Sequence, residues 1–249
     1  MSALARSEWL KLRTTRAWWV YLIVIVALSA IAVAGEIGTA EETRRSERGF
    51  QLGLIDTIGI ASLLALILGI TVVTSEFRHG TVTPTFLAEP RRERVLLAKA
   101  LVGAAVAVGF ALLALLVVAG VGLPWLELVD AEVDLADREF ATRIAQNVGV
   151  AALYLLLGVA IGTLVQSQVA ALVGTLLWIF LGENLVVGLL GIVDADGASG
   201  YLPFRSLDAA DGSGGEGVLS YGPGVAVALG WIAVLGGLGT RRTLRRDIT

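Results

Sequence analysis

Few residues of this chain are equipped for chemistry. There is no cysteine and a single histidine, His79, so disulfides, thiolate sites, cysteine nucleophiles and paired-histidine metal centres are excluded. Lysine occurs only at Lys11 and Lys99, and neither follows a glycine-rich loop of the kind that cradles phosphates. Gly-x-Ser-x-Gly and His-Glu-x-x-His patterns are both missing, which argues against a membrane hydrolase or protease. The stretch Gly212-Ser213-Gly214-Gly215-Glu216 lies among acidic residues and reads as a flexible linker. No catalytic residue, no metal site and no cofactor bound by the chain is expected. What remains is a set of polar residues bordering long apolar runs. It comprises Glu8, Trp9, Lys11 and Arg13 near the start, the stretch from Glu76 to Lys99, and Asp56, Glu183 and Asn184.

The elements that must position these residues are set by composition. Of the 249 residues, 56% are hydrophobic and 16% charged, whereas a soluble domain carries about 25% charged residues. About 20 apolar residues cross a hydrocarbon layer of roughly 30 Å. Six spans are expected, at about 17–35, 53–75, 100–126, 146–165, 169–185 and 218–240. The uncharged stretch Ile144 to Gly182 is too long for one span, so it is divided at Gln166-Ser167-Gln168. Lipid obliges each segment to satisfy its own backbone, and no ten-residue alternation suggests a barrel. The fold class is therefore an all-α integral membrane protein, a single transmembrane domain with outer loops at 36–52, 127–143 and 194–217.

Charge placement orients it. With both termini in the cytoplasm, the inner segments hold 13 Lys/Arg against 6 in the outer loops, which take 15 of the 22 acidic residues. This obeys the positive-inside rule. Trp18, Trp19, Tyr21, Trp125 and Tyr221 fall near span ends, as interfacial aromatics do. A competing reading makes the first run, ending in Ala32-Val33-Ala34, a cleavable signal peptide, although it is long enough to span.

The loop 76–99 carries the most information. Gly80 breaks the second helix, and Thr83-Pro84 is an N-cap followed by proline at the first helical position. Pro90 limits the new helix to little more than one turn, which presents Phe86 and Leu87 to the cytoplasm or to a partner. The alternative is a solvated loop whose Arg91, Arg92 and Arg94 anchor on anionic headgroups. Residues 2–14 form a short amphipathic elbow, with Ala5, Trp9 and Leu12 on one face.

Glu76-x-Arg78-x-Gly80-Thr81, a proline-containing turn, a basic cluster and Lys99 together resemble the permeases of type-2 ABC (ABC-2) exporters. Glu8-Trp9-Leu10-Lys11-Leu12-Arg13 is similar to the segment before their first span. The resemblance implies a coupling helix between the second and third spans that docks on a separate ABC ATPase. In that role Glu76, Arg78, His79, Gly80, Thr81, Pro84, Phe86 and Leu87 would form the coupling site. It implies a homodimer or heterodimer of six-helix units in a bacterial cell membrane, with ATP and Mg on the partner ATPase and none on this chain. Membrane lipid is a further partner and nucleic acid is not.

Glu183 is placed toward the outer leaflet, where with Asn184 it ends the fifth span or contributes to an exit path. Leu185 to Val193 is then too short to cross and suits a re-entrant or interfacial segment. Asp56 is read as interfacial. The expected function is export of an unidentified drug, lipid or other amphipathic molecule. Alternatives are a non-transporting scaffold or sensor subunit, and an ion-coupled secondary transporter, which the lack of an internal repeat disfavours.

Overall fold

A computed structural model describes residues 2–81, 85, 87, 89, 91–131, 137–212 and 219–244. Among the described residues there is no strand, and six helices are long and apolar enough to cross a membrane. The helices are α1 (Ser2–Thr14), α2 (Arg16–Thr39), α3 (Glu42–Arg45), α4 (Arg48–Asp56), α5 (Gly59–Arg78), α6 (Arg92–Leu128), α7 (Arg138–Val165), α8 (Gln168–Ile192), α9 (Pro203–Asp211) and α10 (Tyr221–Leu244). Arg78, Arg92 and Arg241 lie at one end of the bundle, called here the basic end, and Asp56, Glu139 and Asp211 at the other.

The centre is the pair α5 and α7, which share the most extensive contact of any two helices. Glycine makes that possible. A Cβ on Gly158 would stand 2.3 Å from the Leu66 carbonyl oxygen, and one on Gly69 would stand 2.3 Å from that of Leu155. Gly162, one turn on, faces Ile70 at 3.0 Å in the same way. Backbones this close gain dispersion contacts that lipid cannot supply to them. Around the pair, α2 presents one stripe at intervals of four residues (Ile25, Ser29, Val33 and Ile37) toward α6. α10 packs on α7 through Gly239, where a Cβ would meet Leu164 N at 2.8 Å.

Three boundaries differ from expectation. The second candidate span starts earlier, at Arg48, and includes α4, which a turn at Thr57-Ile58 joins to α5; there the Thr57 hydroxyl donates back to the Leu54 carbonyl at 2.7 Å. α6 is 37 residues, about 55 Å at 1.5 Å per residue, so it projects well past a hydrocarbon layer. The fifth span does not stop at Glu183. A π-helical turn at Trp178–Gly182 lets the helix run on to Ile192, through the Leu185 to Val193 segment expected to be re-entrant. Beyond it the chain forms a 3-10 turn (Asp196–Tyr201) and α9, which packs on α7 and α10.

The glycine contact predicts a contrast between two alanine substitutions. Gly158→Ala should lower stability by about 1–3 kcal/mol, because the displaced atom is backbone. Gly174→Ala, with open space around it, should be neutral or gain up to about 1 kcal/mol of helix propensity. Thermal unfolding of the two variants in detergent checks this, and equal losses would sink the packing account.

Candidate functional site at the basic end of the bundle

Glu8 lies on the side of α1 that faces the bundle, Glu76 in the last turn of α5, and Lys99 two turns into α6. Each is almost wholly withdrawn from the surface. Lys99 Nζ donates to Glu8 Oε2 at 2.6 Å and to Glu76 Oε1 at 2.7 Å. Lys11 Nζ closes the figure with Glu8 Oε1 at 2.6 Å and Glu76 Oε1 at 2.9 Å. Two carboxylates and two ammonium groups thus alternate around a neutral ring that ties the elbow to the end of α5 and the start of α6. Burying such charges is tolerable only when each is paired, and losing one partner typically costs about 3–5 kcal/mol.

Lys11 is the exposed member. Burial lowers its affinity for a proton, but the hydrogen bonds and charges of Glu76 and Glu8 outweigh this, and its pKa lies above 10.5. A raised lysine pKa contributes stability that is complete below pH 10.5 and is lost as pH rises through the folded-state value.

Other contacts hold the elbow. Trp9 meets Trp18 edge-on at 5.7 Å, while Trp18 and Tyr21 both pack on Phe110 of α6. The inward row of α1 is Leu4, Ala5, Glu8 and Leu12, with Trp9 at its edge rather than at its centre. Arg13 is exposed. Beyond α5, His79 Nδ1 lies 2.8 Å from the Ser75 carbonyl, and Gly80 takes the left-handed conformation (φ 68°) that turns the chain away. Arg78 donates to the Gln168 side chain at 3.1 Å, joining α5 to the start of α8. Gln166, also left-handed (φ 60°), makes the α7–α8 turn and donates to the Thr243 hydroxyl. Thr81 accepts from the Thr85 hydroxyl, and Leu87 is 74% exposed. Pro84 and Phe86 lie outside the described residues. Between α1, α2, α5 and this loop is a cavity of about 670 Å³, walled by Trp18, Tyr21, Leu68 and Val72 and rimmed by Lys11 and Arg78.

The expected intramembrane polar residues lie at the far end. Glu183 is buried, and its carboxylate accepts the backbone N–H groups of Phe204 (2.8 Å) and Arg205 (3.2 Å) and the Trp178 indole N–H (3.3 Å). It therefore caps α9, where a negative charge meets the positive end of a helix dipole. It does not end α8. Asn184 donates to the Phe180 carbonyl and accepts from Arg205. Asp56 accepts from Asn147 at 3.2 Å and lies 3.7 Å from Arg143; both residues also donate to the Asp211 carbonyl at the end of α9. Asp56 is thus a fixed network member.

Three pairs distant in sequence, 8–99, 11–76 and 76–99, close the ring, and the sequence does not show which of these charges pair. Among the described residues, no group of three or more His, Asp or Glu could hold a metal ion.

Lys99→Met should destabilise the fold by about 3–5 kcal/mol, since it leaves Glu8 and Glu76 buried with Lys11 alone. Arg13→Ala, at an exposed site, should fall within about 0.5 kcal/mol of the parent. Restoring much of the loss with Glu8→Gln in the Lys99→Met background would confirm that the unpaired charge is the cause.

The comparisons with known proteins fit this architecture. None of the curated proteins matches the chain. Residues 4–182 match the family described as ABC-2 family transporter protein, a stretch that includes α1, the buried ring and the first four spans. The chain therefore belongs to the ABC-2 transporter family, and is a multi-pass membrane component of such a transporter.

Proposed function

We propose that the chain is the permease subunit of an exporter in a bacterial cytoplasmic membrane, driven by a separate ABC ATPase that docks on the loop 76–89. The family supports the membrane role and the kind of partner. The observation that carries the coupling reading is the buried ring of Glu8, Lys11, Glu76 and Lys99. A force applied to the loop reaches Glu76 within a few residues. From there it passes to α1 and α6 through short charge-assisted bonds, and to α8 through Arg78 and Gln168.

In this reading the basic end faces the cytoplasm. ATP and Mg act on the partner, and their binding and hydrolysis close and reopen the motor beneath the loop. Two permease units form the translocation path. The apolar spans suit an amphipathic cargo. Because the ring is neutral and internally satisfied, it can move as a unit without exposing charge to lipid.

The reading is tested by pull-down from native membranes, comparing the parent with a Phe86→Asp, Leu87→Asp double variant. An ABC ATPase should co-purify with the parent and be reduced at least about tenfold with the variant, the loss expected when a charge enters an apolar contact. Equal recovery from both would move the docking site elsewhere. Recovery from neither in mild detergent would favour a non-transporting scaffold or sensor subunit.

A further inference from the structure

Near the acidic end, α5, α7, α8 and α9 enclose a second cavity, of about 360 Å³. Its wall is aromatic: Tyr154 and Phe204 lie with ring centroids 6.1 Å apart, and Phe180 stands at the mouth. Its polar lining is Glu183, Asp208, Asn184 and Arg205. The mouth opens where Phe180 and Asn184 are exposed, on α8, the least covered of the six spans. The volume falls in the range of small-molecule sites, about 300–1,000 Å³.

The two carboxylates have different duties. Glu183 is committed to the N-terminus of α9 by three donors. Asp208, one turn further along α9, accepts from the Tyr154 hydroxyl at 3.3 Å and faces the cavity. Among the described lining residues Arg205 stands against Glu183 and Asp208, so their formal charge is negative. Aromatic faces beside a partly withdrawn carboxylate are the usual receptor for an organic cation, whose charge is drawn both to the acid and to the ring quadrupoles. Metal ions are ill served, because Glu183 is already occupied by N–H donors and three of the lining side chains are aromatic.

We propose that this cavity binds an organic cation, an amine or quaternary ammonium with a small apolar body, using Asp208 as counter-charge and Tyr154, Phe180 and Phe204 as its wall. As a station on a transport path this rests on the exporter reading; as a binding site it does not. The state of Asp208 is consistent with it. Burial raises its pKa to about 6, Asp211 and Glu183 add to the rise, and Tyr154 and Arg205 oppose it. A bound cation relieves that cost. The charged or titratable groups around Asp208 are Asp211 and Arg205 on α9, Glu183 on α8 and Tyr154 on α7. α10 brings no charged residue between Tyr221 and Thr240, and Gly59 and Leu63 of α5 bring none.

The test is equilibrium binding of radiolabelled phenyltrimethylammonium to the full chain in phosphatidylcholine nanodiscs, without any ATPase. Binding should be saturable, resist benzamide and benzenesulfonate of similar size, and weaken about tenfold or more in Asp208→Asn. Phe180→Ala, at an exposed position that cannot upset folding much, should also weaken it severalfold. Parent binding should fall between pH 7.5 and pH 5 as Asp208 takes up a proton, and that dependence should vanish in Asp208→Asn. Equal displacement by benzamide, no saturable binding, or unchanged affinity in the Phe180→Ala variant overturns the proposal. Because no ATPase is present, such a failure leaves the coupling reading standing, and a failed pull-down leaves the cation site standing.

Discussion

α5 and α7 touch backbone to backbone, at Gly69 against Leu155 and at Gly158 against Leu66, and most of the structure hangs on that contact. In lipid there is no gain from hiding apolar side chains from water, so helices associate by close packing and by polar contacts. The glycines bring two long rods together over their middle turns. α5 ends in Glu76 at the basic end, while α7 carries Arg143 and Asn147 toward the acidic end. A rigid central pair holds both polar regions at a set separation. The other helices are arranged around it, α2 and α6 in one cluster, α9 and α10 in another.

The two polar regions obey one rule by different means. At the basic end four full charges form a closed ring, each with two opposite partners. At the acidic end, charge is matched to helix termini. Glu183 meets the N-terminus of α9, and Arg143 with Asn147 meets its last carbonyl, that of Asp211. A nine-residue helix is too short to be stable alone. Held at both ends, and packed through Phe204 and Leu207, it becomes a fixed part of the bundle. The π turn of α8 serves the same end, since it brings Trp178 and Glu183 within 3.3 Å of each other.

These arrangements explain what could be read in advance. Six spans follow from six uncharged runs, because the thickness of the hydrocarbon layer is a fixed ruler. The elbow follows from a polar segment of helical spacing ahead of the first run. Glu8, Lys11, Glu76 and Lys99 all stand in the two stretches that resemble the family, but nothing in those stretches says that the four side chains pair with one another. A lone carboxylate in an apolar run looks like an interruption, yet α8 runs on past Glu183. Its donors, Phe204 and Arg205, come 21 and 22 residues later and are backbone groups, which have no sequence signature.

By itself the sequence determined the membrane class, the number of crossings, the absence of cysteine and paired-histidine chemistry, and the family to which the chain belongs. Those properties depend on local composition and on short contiguous motifs, and both survive without any knowledge of contacts. The tertiary structure alone decided which charges pair, which glycines matter and where a cavity opens. Gly158 and Gly174 are identical in sequence terms, yet one stands against a carbonyl and the other in open space. Lys99 and Glu8 are 91 residues apart, and only the packing of α1 against α6 brings them to 2.6 Å. Pairing energy falls with distance, so the polar networks at both ends rest on geometry that the linear order does not contain.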